Sequence, residues 1–220
     1  MKTLNKSVSV LVLLVATAAL AQNQVPLQTK LPPPLFVGTP VPLNVPNLEP
    51  AMKGKRPEFL VPAGTINLAR NKKVTSSDNN PDAGTLDMIT DGDKDGNEGS
   101  WVELGPGKQW VQIDLARRAN IYAVLIWHFH SQARVYRDVV VQVSDDPTFH
   151  AGVTTVFNSD FHGELGLGAG KDMNYIETYQ GKLIDAKGVK GRYIRMYSNG
   201  NTANKLNHYI EVEVWGKPAV

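Results

Sequence analysis

Past residue 64 the chain is a succession of short apolar runs of strand type, parted by clusters of Gly, Asn and Asp. Val111, Ile113 and Leu115 alternate with Gln112 and Asp114, the period of a strand with one buried face. Ile121–Phe129 is instead an almost unbroken run of β-branched and aromatic residues, which predicts a strand covered on both faces. A second such run, Val139–Val143, ends at Ser144-Asp145-Asp146-Pro147. Tyr193–Tyr197 and Tyr209–Trp215 complete the set. No segment of this region keeps a helical period, and no internal repeat is visible. The pattern predicts one all-β domain over residues 64–217, an antiparallel sandwich or jelly roll.

The first 63 residues follow other rules. Lys2 and Lys6 precede an apolar stretch from Val8 to Leu20, which closes on Ala19-Leu20-Ala21, a small-x-small cleavage site. That run is short for roughly 30 Å of hydrocarbon. Residues 1–21 are therefore expected to be a cleaved signal peptide, giving a secreted or periplasmic protein with no membrane span afterwards. Residues 22–63 hold ten prolines, from Pro26 to Pro62. Proline fixes φ and removes a donor, so the segment predicts an extended, semi-rigid linker rather than a helix or central strand. Pro32/Pro34 and Pro40/Pro42 also have the spacing of a proline-recognition ligand, and Val, Leu and Phe36 are apolar enough to lie on a domain surface.

Charge and cysteine narrow the function. Without Lys2 and Lys6 the 23 basic residues fall to 21, equal to the 21 acidic ones. No basic field is left to draw nucleic acid or anionic lipid. The chain has no Cys, so disulfides and thiolate metal sites are excluded and an exported domain must rely on its core.

Two polar constellations carry chemistry. Asp91-Gly92-Asp93 is a carboxylate-rich turn, and the final apolar run carries Glu211 and Glu213. Gathered together, such carboxylates repel one another without a cation, and hard oxygen ligands suit Ca²⁺. Asp91-x-Asp93-x-Asp95-Gly96 also copies the start of an EF-hand loop, but Val102 stands where the closing Glu belongs, and that reading fails. The second constellation is His128-Phe129-His130 with Arg134 and Tyr136. Extended, the two histidines project to one side and are near enough to share a metal, though no third ligand is evident. Imidazole and guanidinium donors beside aromatic rings equally suit a sugar, and Trp101 offers a stacking platform.

Other motifs read as scaffolding. Gly166-x-Gly168-x-Gly170-Lys171 is no phosphate loop, because Leu165 and Asp172 occupy two of the required positions. Its glycines are expected to supply left-handed turns. Asp160, His162 and Glu164 nearby give only a thin case for catalysis, so the expectation is a non-enzyme. Asn199, Asn201, Asn204 and Asn207 read mainly as turn residues.

The order Asn67-Leu68-Ala69, Lys73–Ser77, Thr90–Asp93, Trp110–Leu115, Val141–Asp146, Gly191–Arg195 and Glu211–Gly216 resembles the discoidin domain, also called coagulation factor 5/8 type C, over about residues 65–217. The resemblance implies an eight-stranded, galactose-binding-like jelly-roll sandwich with ligand-binding loops at one end. It implies structural Ca²⁺ held by Asp91, Asp93, Ser100 and Glu211, with carbonyls of Met88 and Ile210. It further implies a secreted module for a glycan or glycosylated surface, contacted through Trp101, His128, His130, Arg134 and Tyr136. The other reading is an accessory β-domain that binds an extracellular protein without sugar affinity. The terminal disulfide of vertebrate members is missing here, and the fucose-binding subgroup's His…Arg pattern is not reproduced.

Overall fold

The computed structural model describes residues 24–35 and 42–219, so the expected signal segment 1–21 lies outside the described residues. The strands are β1 Gln24–Pro26, β2 Leu60–Pro62, β3 Ile66–Asn67, β4 Lys73–Ser76, β5 Val102–Leu104, β6 Lys108–Trp127, β7 Val140–Ser144, β8 Thr154–Asn158, β9 Lys182–Asn199, β10 Asn207–Tyr209 and β11 Glu211–Pro218. One 3-10 turn, Leu86–Thr90, is the sole helical piece among the described residues. Strands pair antiparallel throughout, as the jelly roll requires. β4 to β11 are the eight strands of the sandwich. The other three are a two-residue edge strand, β3, and a pair from the proline-rich segment.

Two long strands make both layers. The first half of β6 pairs with β4, and its second half pairs with β11. β9 follows β6 along both halves, with register shifts at Asp114/Ala119 and Ile121/Ala123. The bend between the halves is built by Ala116, whose φ is 68° and whose N–H donates to Asp114 Oδ1 at 2.8 Å. Arg192 grips the same carboxylate with two bonds of 2.7 and 2.8 Å and holds it below the usual carboxylate range. Because β6 folds back, its start at Lys108 and its end at Trp127 lie at one end of the sandwich. The loops 92–101, 128–139, 159–181 and 199–206 gather there, and we call this the loop end. Val111, Ile113, Ile121, Val124, Ile126, Ile194, Met196, Val212 and Val214 fill the core between the layers.

The two-faced run Ile121–Trp127 has the second cover it predicts. Ala123, Leu125, Trp127 and Ile210 form a separate buried cluster on the outer face, under Leu27, Leu31, Phe59, Leu183 and Trp215. Trp127 donates to Tyr179 O at 2.9 Å, and Gly181 lies flat against its ring. A Cβ at Gly181 would sit 2.6 Å from Trp127, and its φ is 65°.

Residues 24–35 and 42–62 run extended as a strap laid on the sheet. Thr29 Oγ1 donates to Glu213 at 2.7 Å, Arg56 N to Gln180 Oε1 at 2.7 Å, and Lys182 pairs with Glu49 at 2.6 Å. The physical reason lies between the prolines. Leu27, Leu31 and Phe59 find an apolar sheet face, and extended prolyl chain can lie on side chains with few backbone partners of its own.

On the other layer, the glycine-rich loop seats Leu165 and Leu167 over Val140, Tyr197 and Trp110. Gly163, Gly166 and Gly168 have φ of 72°, 71° and 87°, the left-handed turns expected of them. Asp160 holds this loop, accepting the N–H groups of Glu164 and Leu165 at 2.8 Å each.

Candidate functional site

The acidic turn follows the 3-10 turn directly. Asp91 Oδ1 accepts Asp93 N–H at 2.8 Å and Asp93 Oδ1 accepts Asp95 N–H at 2.9 Å, so two Asx turns run in series. Gly92, at φ 82°, turns its N–H onto Glu211 Oε2 at 3.0 Å across 119 residues. The φ of 82° favours glycine at this position, and a side chain there would also have to displace the Arg70 guanidinium. Asp91, Gly92 and Glu211 thus come together as the two motifs anticipated.

Glu211 is fully buried, and its Oε1 has no hydrogen-bond partner. Burial pushes its carboxyl up to about 9, against the smaller opposing pull of Gly92 N–H and Lys94. Met88 O receives Asp91 N–H, Ser100 N–H donates to Asn97 O, and Ile210 N–H donates to Trp127 O. Asp93 is exposed. Among the described residues no group of three His, Cys, Asp or Glu forms a metal cluster. What fits a cation here is narrower: one free, buried carboxylate oxygen next to an acidic turn.

Glu213 has a different role, and Lys94 is the residue that sequence reasoning missed. The Lys94 ammonium is buried, pairs with Glu213 Oε1 at 2.6 Å, donates to Lys30 O at 3.1 Å and lies 5.2 Å from the Trp127 ring. It ties turn, strap and β11 together. A lysine inside an acidic run ordinarily reads as solvated, so its burial left no sequence signal.

The histidines lie beyond the end of β6 and are buried. His128 is 0 % exposed, His130 1 % and Tyr136 2 %. His128 Nδ1 bonds Glu177 Oε1 at 2.7 Å, and its ring stacks on Tyr136 at 4.3 Å. His130 Nε2 bonds Lys94 O at 2.8 Å. The rings serve different partners through one nitrogen each, and among the described residues they join no group of three metal-binding side chains. Direct sugar contact by His128, His130 or Tyr136 is corrected, since none has surface to offer. The neighbouring Trp127 and Phe129 were the available signal, because imidazoles flanked by large apolar residues tend to be buried with them.

Tyr136 continues into a polar chain. Burial, together with the charges of Arg134 and His128, lowers the His208 imidazole to about 4. The neutral ring accepts from Tyr136 Oη through Nδ1 at 2.9 Å and donates to Glu103 Oε2 through Nε2 at 2.8 Å, a tautomer assigned from its partners. Tyr136→Phe is expected to lower stability by about 1–3 kcal/mol, the cost of leaving a buried acceptor unpaired. A lower urea midpoint at unchanged m-value would show it; an unchanged midpoint would remove this chain from the account.

Trp101 and Arg134 are half-buried, and Trp101 also packs against the cluster of Ala123, Leu125, Trp127 and Ile210. Trp101 meets Phe129 edge-on at 4.9 Å, and the Arg134 guanidinium lies over the same ring at 4.3 Å. Arg134 donates to Gln132 at 3.2 Å, while its Nε has no acceptor. The nearby asparagines act in turns: Asn207 bridges Ser198, Gly200, Gly105 and Gly107, and Asn201 caps Ala203 and Asn204.

A family model described as the F5/8 type C domain matches residues 73–212. The chain belongs to that family. A search of the curated proteins found no match. Among solved structures, the chain is similar to chitosan-binding module 1 of a chitosanase/glucanase from Paenibacillus sp. IK-5, with 20 % identity, TM-score 0.50, and coverage of 69 % of this chain and 99 % of that one. It is also similar to a family 89 glycoside hydrolase from Clostridium perfringens, with 18 % identity and TM-score 0.52; 70 % of this chain matches only 15 % of that one. A truncated AlyQ with CBM32 and alginate lyase domains gives 17 % identity, TM-score 0.51, and coverage of 71 % and 35 %. At these identities the likeness is one of fold.

Proposed function

We propose that this domain is an extracellular carbohydrate-binding module whose loop end receives a sugar on Trp101 and Arg134. The carrying observation is the packing of both half-buried residues on Phe129, which sets an aromatic ring and a guanidinium side by side at the loop end. A sugar offers an apolar face to the first and hydroxyls to the second. Below them the buried His128, Tyr136 and His208 network holds the site rigid, which limits the ordering cost of binding. The family and the carbohydrate-binding neighbours support the same class. The reading is binding rather than turnover: Asp160 is engaged by its loop, and Glu164 and His162 are exposed.

The reading includes a structural Ca²⁺ beside Glu211. Its support is the free Glu211 Oε1, with Asp91 adjoining. Asp91 and Glu211 would hold the ion, and Asp93, Ser100 and the carbonyls of Met88 and Ile210 are the further oxygen donors in reach of that reading. A bound ion would neutralise the buried carboxylate and fix the turn to β11. Residues 1–21, read as a signal, make the protein secreted or periplasmic. No helix among the described residues is long and apolar enough to cross a membrane.

Glycan-array screening followed by titration tests the sugar site. Trp101→Ala and Arg134→Ala are each expected to weaken the best glycan at least tenfold with an unchanged circular dichroism spectrum. If both variants bind as wild type, the site is elsewhere. If wild type binds no glycan and captures an extracellular protein, the module is a protein-interaction domain.

A further inference from the structure

A cavity of about 410 Å³ opens between the returning arm of the strap, Glu49–Arg56, and the segment Tyr175–Leu183 that leads into β9. A smaller one of about 190 Å³ lies on the other side of Arg56, against Leu27, Leu31 and Phe59. Arg56 and Leu183 line both, so the two hollows flank the same two residues, and together we call them the groove. Its volume is in the range of small-ligand sites. None of the loop-end residues Trp101, Phe129 and Arg134 borders it.

Arg56 is held in place without being neutralised. Its backbone N–H donates to Gln180 Oε1 at 2.7 Å, and Nη1 donates to Gln180 O at 2.8 Å and Gly181 O at 3.4 Å. Among the described residues Nε and Nη2 have no protein acceptor, and no carboxylate lies within ion-pair distance. Glu213, the acid whose charge reaches it, is already engaged by Lys94 at 2.6 Å, Thr29 at 2.7 Å and Trp215 Nε1 at 2.9 Å. Half-burial works against the guanidinium charge, so a counter-ion entering the groove gains what the protein leaves unmet.

The surroundings specify the ligand further. Lys53-Gly54-Lys55-Arg56 places three cations in four residues, against the one exposed acid Glu58 on the smaller hollow's wall. Lys53 and Lys55 are exposed, whereas Lys182 on the opposite wall is neutralised by Glu49. Met52 is 46 % exposed, and with Pro50, Ile176 and Leu183 it lines the groove with apolar surface. We propose that the groove is a second glycan site, selective for an acidic sugar, in which the free Nε–Nη2 edge of Arg56 takes a uronate carboxylate. A planar fork matches a carboxylate with two parallel bonds, which a lysine cannot supply. The choice of a sugar as the carboxylate's carrier rests on the carbohydrate-binding reading; the site does not overlap it.

The test uses tri-galacturonate, its methyl ester and a neutral galactose trisaccharide, titrated into the protein by calorimetry and by nuclear magnetic resonance. Tri-galacturonate is expected to shift the Gly54 and Gly181 amides and the Met52 methyl, and the ester to bind at least tenfold more weakly. Arg56→Gln should lose at least tenfold in uronate affinity. Arg56→Lys should lose severalfold despite its charge. An unchanged melting temperature establishes that the Arg56 variants are folded. Uronate binding that survives Arg56→Gln, or shifts at Trp101 instead, overturns the groove and leaves the loop-end reading intact. Neutral-sugar binding without uronate binding does the same. Failure to bind any sugar overturns both.

Discussion

Deleting residues 24–62 is expected to lower the melting temperature of the sandwich by roughly 10–20 °C, or to leave it aggregating on purification. The strap covers Ala123, Leu125, Trp127 and Ile210, which otherwise form an apolar patch on the outer face of β6 and β11. Uncovering large apolar side chains costs about 1.5–3 kcal/mol each, and two or three of them sum to about 5 kcal/mol. For a domain of this size each kcal/mol moves the midpoint by about 2–4 °C. Deletion also strands Lys94, which loses its bond to Lys30 O, and Glu213, which loses Thr29. Leu27→Ala with Phe59→Ala, which keeps the strap but thins its apolar contacts, should reproduce part of the loss. A truncated chain that melts with the full one would show that the strap contributes nothing to the fold.

The second large effect concerns Glu211. In the metal-free protein burial raises its carboxyl from the ordinary 4.5 to about 9. A raised carboxyl binds its proton more tightly folded than unfolded. Its stabilisation is therefore complete below pH 4.5 and is lost as pH climbs towards 9. With chelator present, the melting temperature is expected to fall over that window relative to Glu211→Gln, which has no proton to lose there. Calcium at a hundredfold excess over its Kd should add about 2.7 kcal/mol, a rise of roughly 5–10 °C. The rise should be greater at pH 8 than at pH 5, because the ion binds the ionised form. Glu211→Gln should remove both the slope and the calcium response. A wild-type midpoint indifferent to calcium across this range would end the cation reading.

The layered fold was legible because its strands carry local signals. The alternation at Val111–Leu115 announced a half-buried strand, and the unbroken run from Ile121 announced one covered twice. What supplied the second cover was not legible. Leu27 and Phe59 sit among prolines that advertise an extended chain, and nothing local says which surface that chain will meet. The clasp between Gly92 and Glu211 was reached through the family resemblance, since two motifs so far apart share no periodicity. The histidines were misplaced for a related reason. Polarity just past a strand suggests an exposed loop, whereas Glu177, Lys94 O and Tyr136 each engage one nitrogen or face of these rings inside the fold. Arg56 gave no sign beyond a short basic run; its importance comes from the partners it lacks.

The pairing of β1 with β2 has a consequence for how the protein is displayed. Gln24 stands opposite Pro62 and borders a small cleft with Tyr122 and Lys187, near the bend between the two layers. At the other extremity, Pro218 pairs with Ala119 and Ala219 N–H donates to Arg118 O at 3.0 Å, beside the same bend. The described residues Gln24 and Ala219 thus lie at one pole of the sandwich, while Trp101 and Arg134 occupy the opposite pole. A solid support joined next to Gln24 or Ala219 would hold the module from behind with its loops facing outward.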